Sequence, residues 1–125
     1  MKSREKKINK RQTGQEQENR AAVYLTERGY KILERNYRCR MGEIDLIAFH
    51  QGYLVFVEVK YRSGNRAGRP EEAVDFRKQK KIFQTAVWYL KEKGLSLDTP
   101  CRFDVVAITP EEIRVFPDAF FYRQR

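Results

Sequence analysis

Apolar residues repeat every three to four positions in two stretches of the chain; between them they alternate or run unbroken. The first helical stretch is expected over about Gly14 to Arg28, since Thr13 followed by Glu16 is a capping-box pattern and Gly29 is a good stop. Tyr30 to Arg38 predicts a first strand, and Arg40-Met41-Gly42 a short connection into a hairpin. Within the hairpin, IDLIAF and YLVFVEVKY are separated by His50, Gln51 and Gly52, a turn-type interruption. Pro70, Glu71 and Glu72 open a second helix that runs to about Lys93, closed by Gly94, with Ile82, Phe83, Ala86, Val87 and Leu90 on one apolar face. Arg102 to Ile108 is a further strand, reached through a βαβ crossover, and Glu112 to Phe116 a short edge strand. The order helix, three strands, helix, strand predicts an α/β domain with a central mixed β-sheet: an antiparallel meander extended by a parallel strand and flanked by helices.

The hairpin carries ionisable residues inside runs apolar enough to be buried. With Gln51-Gly52 as a two-residue loop, His50 pairs with Tyr53, Phe49 with Leu54, Ile47 with Phe56 and Asp45 with Glu58. Directly opposed like charges, with Cβ atoms about 5 Å apart, are destabilising and call for a cation between them. Period-two alternation puts Lys60 on the face of Glu58, with Glu43 opposite Lys60. Hard oxygen donors without a His or Cys cluster suit Mg²⁺ or Mn²⁺. The alternative is an internal ion-pair network of Asp45, Glu58 and Lys60. Glu18 shares a helical face with Ala22 and Leu25, which makes it a third candidate acid. Asp104 either joins these acids or pairs with Arg102 or another nearby base, the second role being preferred.

Charge then narrows the partner. In 125 residues, enough for one compact domain, 26 Lys and Arg face 17 Asp and Glu, a net charge of +9 that favours a polyanion such as DNA. Residues 1 to 12, MKSREKKINKRQ, read as a flexible basic arm, and 13 to 125 as the domain. The loop RSGNRAGRP leaves the Glu58 strand directly, so Arg62, Arg66 and Arg69, with Arg40 and Lys78, are candidate nucleic-acid contacts. No apolar run approaches the 18 or so residues of a spanning helix and no hydrophobic signal segment opens the chain, so a cytoplasmic protein without membrane contact is expected. Cys39 and Cys101 match no metal spacing and are expected as reduced thiols. A homodimer is compatible with the sequence, which encodes no oligomeric state. The terminal aromatics of DAFFYRQR are expected to pack onto the domain.

Asp45 followed by Glu58-Val59-Lys60 resembles the PD-(D/E)xK nuclease signature. The longer string of Gly14, Glu18, Ala22, Tyr24-Leu25, Gly29-Tyr30, Asn36, GEIDLI, FVEVKYR, Lys78 and RFDVV resembles the YraN family of small bacterial proteins, over about residues 13 to 110. That family is similar to archaeal Holliday-junction resolvases and restriction-endonuclease-like folds. The resemblance implies a metal-dependent endonuclease for DNA, including branched DNA. Asp45, Glu58 and the Val59 carbonyl would hold Mg²⁺ or Mn²⁺, Glu18 would contribute directly or through water, and Lys60 would orient the attacking water. The rival is a non-catalytic nucleic-acid-binding module on the same fold, from which metal dependence separates the nuclease.

Overall fold

A computed structural model describes residues 2–62 and 74–120, with side chains from residue 14 onward. Seven elements follow in order: α1 (Lys2–Glu27), β1 (Lys31–Cys39), β2 (Gly42–His50), β3 (Tyr53–Tyr61), α2 (Phe76–Glu92), β4 (Cys101–Ile108) and β5 (Ile113–Phe116). The strands form one sheet in the order β1-β2-β3-β4-β5. Its neighbours are antiparallel except β3 and β4, which the passage through α2 leaves parallel. The expected mixed α/β architecture is thus present.

Both helices start elsewhere than the sequence implied. α1 does not begin at Thr13 but is continuous from Lys2, so residues 2–12, expected as a flexible arm, continue its backbone. Lys, Arg, Glu and Gln dominate that stretch, and such straight side chains lose little freedom in a helix. α2 begins at Phe76, not near Pro70: the Asp75 carboxylate accepts the Lys78 N–H at 2.8 Å and caps the first turn. Pro70, Glu71 and Glu72 lie outside the described residues, as do Arg66 and Arg69.

Each helix covers one face of the sheet. Ala21 and Leu25 of α1 pack with Leu46, Ala48, Val55, Val57, Val106 and Ile108. Ile82, Ala86, Tyr89 and Leu90 of α2 pack with Tyr37, Ile44, Ile47, Phe56, Phe103 and Val105. Each fully buried Leu, Ile or Val contributes roughly 1.5–3 kcal/mol. Phe120 is buried and stacks on Phe103 at 5.3 Å, so the first terminal aromatic packs onto the domain; residues 121–125 lie outside the described part. No helix among the described residues is long and apolar enough to cross a membrane.

Strand register sets up the site. The β2–β3 ladder runs from His50↔Tyr53 to Leu46↔Val57, as the turn predicts, and stops there. Alternation fails at the same level: Leu46 packs toward α1 while Ile44, two residues away, packs toward α2. On β1, Arg35 bonds α1, yet Tyr37 meets Tyr89 of α2 edge-on at 5.1 Å. Between them Asn36 has φ of 53°, the left-handed region that Asn tolerates better than most residues. At the entrance to β2, Gly42 has φ of 152°, and a Cβ there would meet Thr85 Oγ1 of α2 at 2.9 Å. Only glycine lets the strand pass that close.

Candidate active site

Beyond Leu46 the two hairpin strands part, and Asp45 occupies the seam. Its Oδ2 accepts the backbone N–H of Val59 at 2.8 Å, one residue past the partner that the register extrapolates. The expected cross-strand Asp45–Glu58 pair is therefore corrected: a side chain takes the place of the next ladder bond. The two carboxylates nevertheless act on each other. Burial and then the Glu58 charge push the Asp45 carboxyl up to about 7; Glu18 adds to the rise, while the Val59 N–H and Lys78 oppose it.

Glu58 is buried at 8% exposure, and its Oε1 accepts from Lys78 Nζ of α2 at 2.5 Å. Burial acts to lower the Lys78 pKa, but the hydrogen bond and charge of Glu58, helped by Asp45 and Glu43, outweigh it and raise the value. Lys78, foreseen as a nucleic-acid contact at the rim, is thus the cation beside the acids. Its position four residues before Ile82 was the available signal. Lys60, foreseen in that place, is half-buried on β3 and makes no hydrogen bond or ion pair among the described residues. Glu43 does not lie against Lys60 but pairs with Arg38 at 3.1 Å, where β1 rather than β3 is its ladder neighbour.

From the opposite face, Glu18 reaches the same region. Arg35 Nε and Asn36 Nδ2 donate to its Oε1 at 3.1 and 2.8 Å, and Arg35 Nη2 also donates to Asn19. Glu18, Arg35, Asn36, Arg38, Asp45 and Tyr61 line a cavity of about 730 Å³. From sequence neither Arg35 nor Asn36 was assigned a role at the site, because no propensity marks a left-handed residue inside a strand pattern. Among the other foreseen contacts, Arg40 is exposed in the β1–β2 turn and Arg62 half-buried at the end of β3.

Asp45, Glu58 and Glu18 each commit one oxygen to the donors above. Among the described residues, no three His, Cys, Asp or Glu side chains lie close enough together to hold an ion by themselves. Mg²⁺ and Mn²⁺ take one or two carboxylates and keep waters and substrate oxygens, so Asp45 and Glu58 are the side chains that could contribute to such a site.

Asp104, wholly buried, lies across from Val57 in the middle of β4 and belongs to a different cluster. Arg102 donates to both of its oxygens at 2.9 and 2.8 Å, and Tyr30 Oη and the Asp118 N–H donate at 2.6 and 2.9 Å. Arg102 also meets His50 Nδ1 at 2.8 Å, and the His50 ring stacks on Tyr30 at 3.8 Å. The pairing with Arg102 is the role preferred from sequence. Cys39 and Cys101 are free thiols, and burial pushes Cys101 up.

The chain has counterparts among known sequences. A model of the uncharacterised protein family UPF0102 matches residues 17–108, the stretch from the buried face of α1 to the end of β4. A UPF0102 protein of Lachnoclostridium phytofermentans is 55% identical over 113 residues, covering 90% of this chain and 96% of that protein. A second, from Symbiobacterium thermophilum, is 52% identical over 100 residues, or 80% and 84% of the two chains. A third, from Caldanaerobacter subterraneus subsp. tengcongensis, is 46% identical over 110 residues, or 86% and 89%.

Proposed function

We propose that this chain, which belongs to the uncharacterised protein family UPF0102, is a metal-dependent endonuclease that hydrolyses DNA phosphodiesters on a restriction-endonuclease-like fold. One observation carries the reading: Asp45 sits in the seam between parted strands with a carboxyl pushed up to about 7, against Glu58 on one side and Glu18 on the other. Burial and two carboxylates raise this acid more than the Val59 N–H and Lys78 lower it, which sets it apart from an acid paired off within the protein.

Asp45 Oδ1, Glu58 Oε2 and the Val59 carbonyl are the oxygens that would hold Mg²⁺ or Mn²⁺. A bound ion supplies the positive charge that polarises a phosphate oxygen and acidifies a water. The chain's own residues do the rest. Lys78 offsets the Glu58 charge and would stabilise negative charge that builds on the phosphate. Glu18, fixed by Arg35 and Asn36, would contribute to holding the ion directly or through a bound water, from which it would accept a proton. Lys60, uncommitted among the described residues, would orient that water. The net charge of +9, with Arg40 and Arg62 near the ends of the hairpin strands, supports a DNA backbone as the partner.

A non-catalytic nucleic-acid-binding module is favoured by one observation: the Glu58–Lys78 pair satisfies its acid within the protein. Metal separates the two readings. Branched and linear DNAs are incubated with the protein and Mn²⁺. Cleavage by the wild type, absent from Glu58→Gln together with the Mn²⁺-induced rise in melting temperature, is the expected result. Salt-sensitive binding with no cleavage and no response to metal would leave the binding module.

A further inference from the structure

We propose that Asn36 is a positioning residue of this site: its left-handed backbone turns β1 so that its side-chain amide fixes Glu18 beside Asp45. Consecutive strand residues point to opposite faces, yet Arg35 and Asn36 both bond the α1 residue Glu18, and at the same oxygen. Tyr37, the next residue, packs on the α2 face. The break therefore falls at Asn36, where φ is 53°. The ladder pairs Arg35↔Leu46 and Tyr37↔Ile44 bracket Asn36 and Asp45, which places the two opposite each other. β2 breaks in step: Leu46 faces α1, Ile44 faces α2, and Asp45 between them lines the cavity that Asn36 also lines. A local irregularity that re-aims side chains is what strands use beside sites.

Asparagine meets both demands on this position. It enters the left-handed region at lower cost than most side chains, and it carries a donor that reaches Glu18 at 2.8 Å. With Asn36 and Arg35 both on Oε1, the second oxygen of Glu18 has no protein donor among the described residues. The purpose assigned to Asn36 rests on the endonuclease reading, whereas its hold on Glu18 does not.

Substitution separates the backbone from the amide. Asn36→Gly keeps the turn at no steric cost and removes the donor, while Asn36→Ala removes the donor and strains the turn. Asn36→Gly should melt within about 2 °C of the wild type and Asn36→Ala several degrees lower. Both should bind Mn²⁺ about tenfold more weakly, read by electron paramagnetic resonance of the free ion, and both should lower kcat with KM unchanged. A further measurement needs neither metal nor turnover: the Asn36 side-chain amide signals in the NMR spectrum should shift in Glu18→Gln. Wild-type Mn²⁺ affinity in Asn36→Gly, or amide signals blind to Glu18→Gln, would overturn the assignment. A wild type that binds no Mn²⁺ but whose Asn36 signals follow Glu18 would sink the endonuclease reading and leave the hold on Glu18 standing.

Discussion

Two acids of the same sheet, Asp104 wholly buried and Asp45 half-buried, have opposite surroundings. Among the described residues, Asp104, with no exposed surface, receives four hydrogen bonds from three residues, two of them from Nε and Nη2 of Arg102. Asp45 receives one, from a backbone N–H, and faces two carboxylates. Around Asp104 the tuning runs toward fixed charge. The hydrogen bond to Asp104 raises the Arg102 pKa, and burial, then Asp104, raises that of Tyr30. At Asp45 burial and like charge drive the proton on instead. The first arrangement is complete within the chain and the second is not, and a site that must take up a cation is expected to look like the second.

The comparison breaks most visibly at Arg102. Arg102→Met leaves Asp104 buried without its counter-ion and should cost about 3–5 kcal/mol, measured by urea unfolding; a loss under about 1 kcal/mol would mean that the Asp104 cluster is not charge-balanced by Arg102. Asp45→Asn should do the reverse. The folded chain keeps the Asp45 proton up to about pH 7, whereas an unfolded Asp releases it near 3.8. Folding therefore takes up a proton in that window, and wild-type stability falls as pH rises from about 4 to about 7. Asparagine keeps the Val59 bond and lacks the charge, so the variant should flatten this slope and be more stable at pH 8 by at most about 4 kcal/mol, as urea titrations at several pH values would read. An unchanged slope would place the raised proton on another group. Lys78→Met should show the smallest effect, no more than about 1 kcal/mol at neutral pH, since the lysine is half-exposed. It should also move the falling limb of the pH profile to higher pH, because Lys78 opposes the rise at Asp45. A limb displaced to lower pH would contradict that placement.

Much of the frame was legible before the structure because it rests on short-range rules. Gln51-Gly52 fixed the hairpin loop, and alternation then carried the register correctly from His50↔Tyr53 to Leu46↔Val57. It failed one pair later, where β2 leaves β3 and the left-handed Asn36 breaks the pleat beside it. Counting assumes a regular strand, and the site is where the strand stops being regular. Glu58 was assigned the wrong lysine for a related reason: Lys60 shares its strand, but the rotation of α2 that brings Lys78 to it is settled by packing at Ile82 and Ala86. The pairing of Arg102 with Asp104, two residues apart, was within reach. Tyr30 and His50, which complete that cluster from 72 and 52 residues away, were not.

The seam at Asp45 also bears on how the layers communicate. Its carboxylate is felt from the α2 side through Glu58 and Lys78 and from the α1 side through Glu18. A ligand that removes the repulsion there relaxes a constraint shared by two helices on opposite faces of the sheet. Occupancy of one small site would then slow the local opening of both helices at once, so that amide hydrogen exchange in α1 and in α2 falls together.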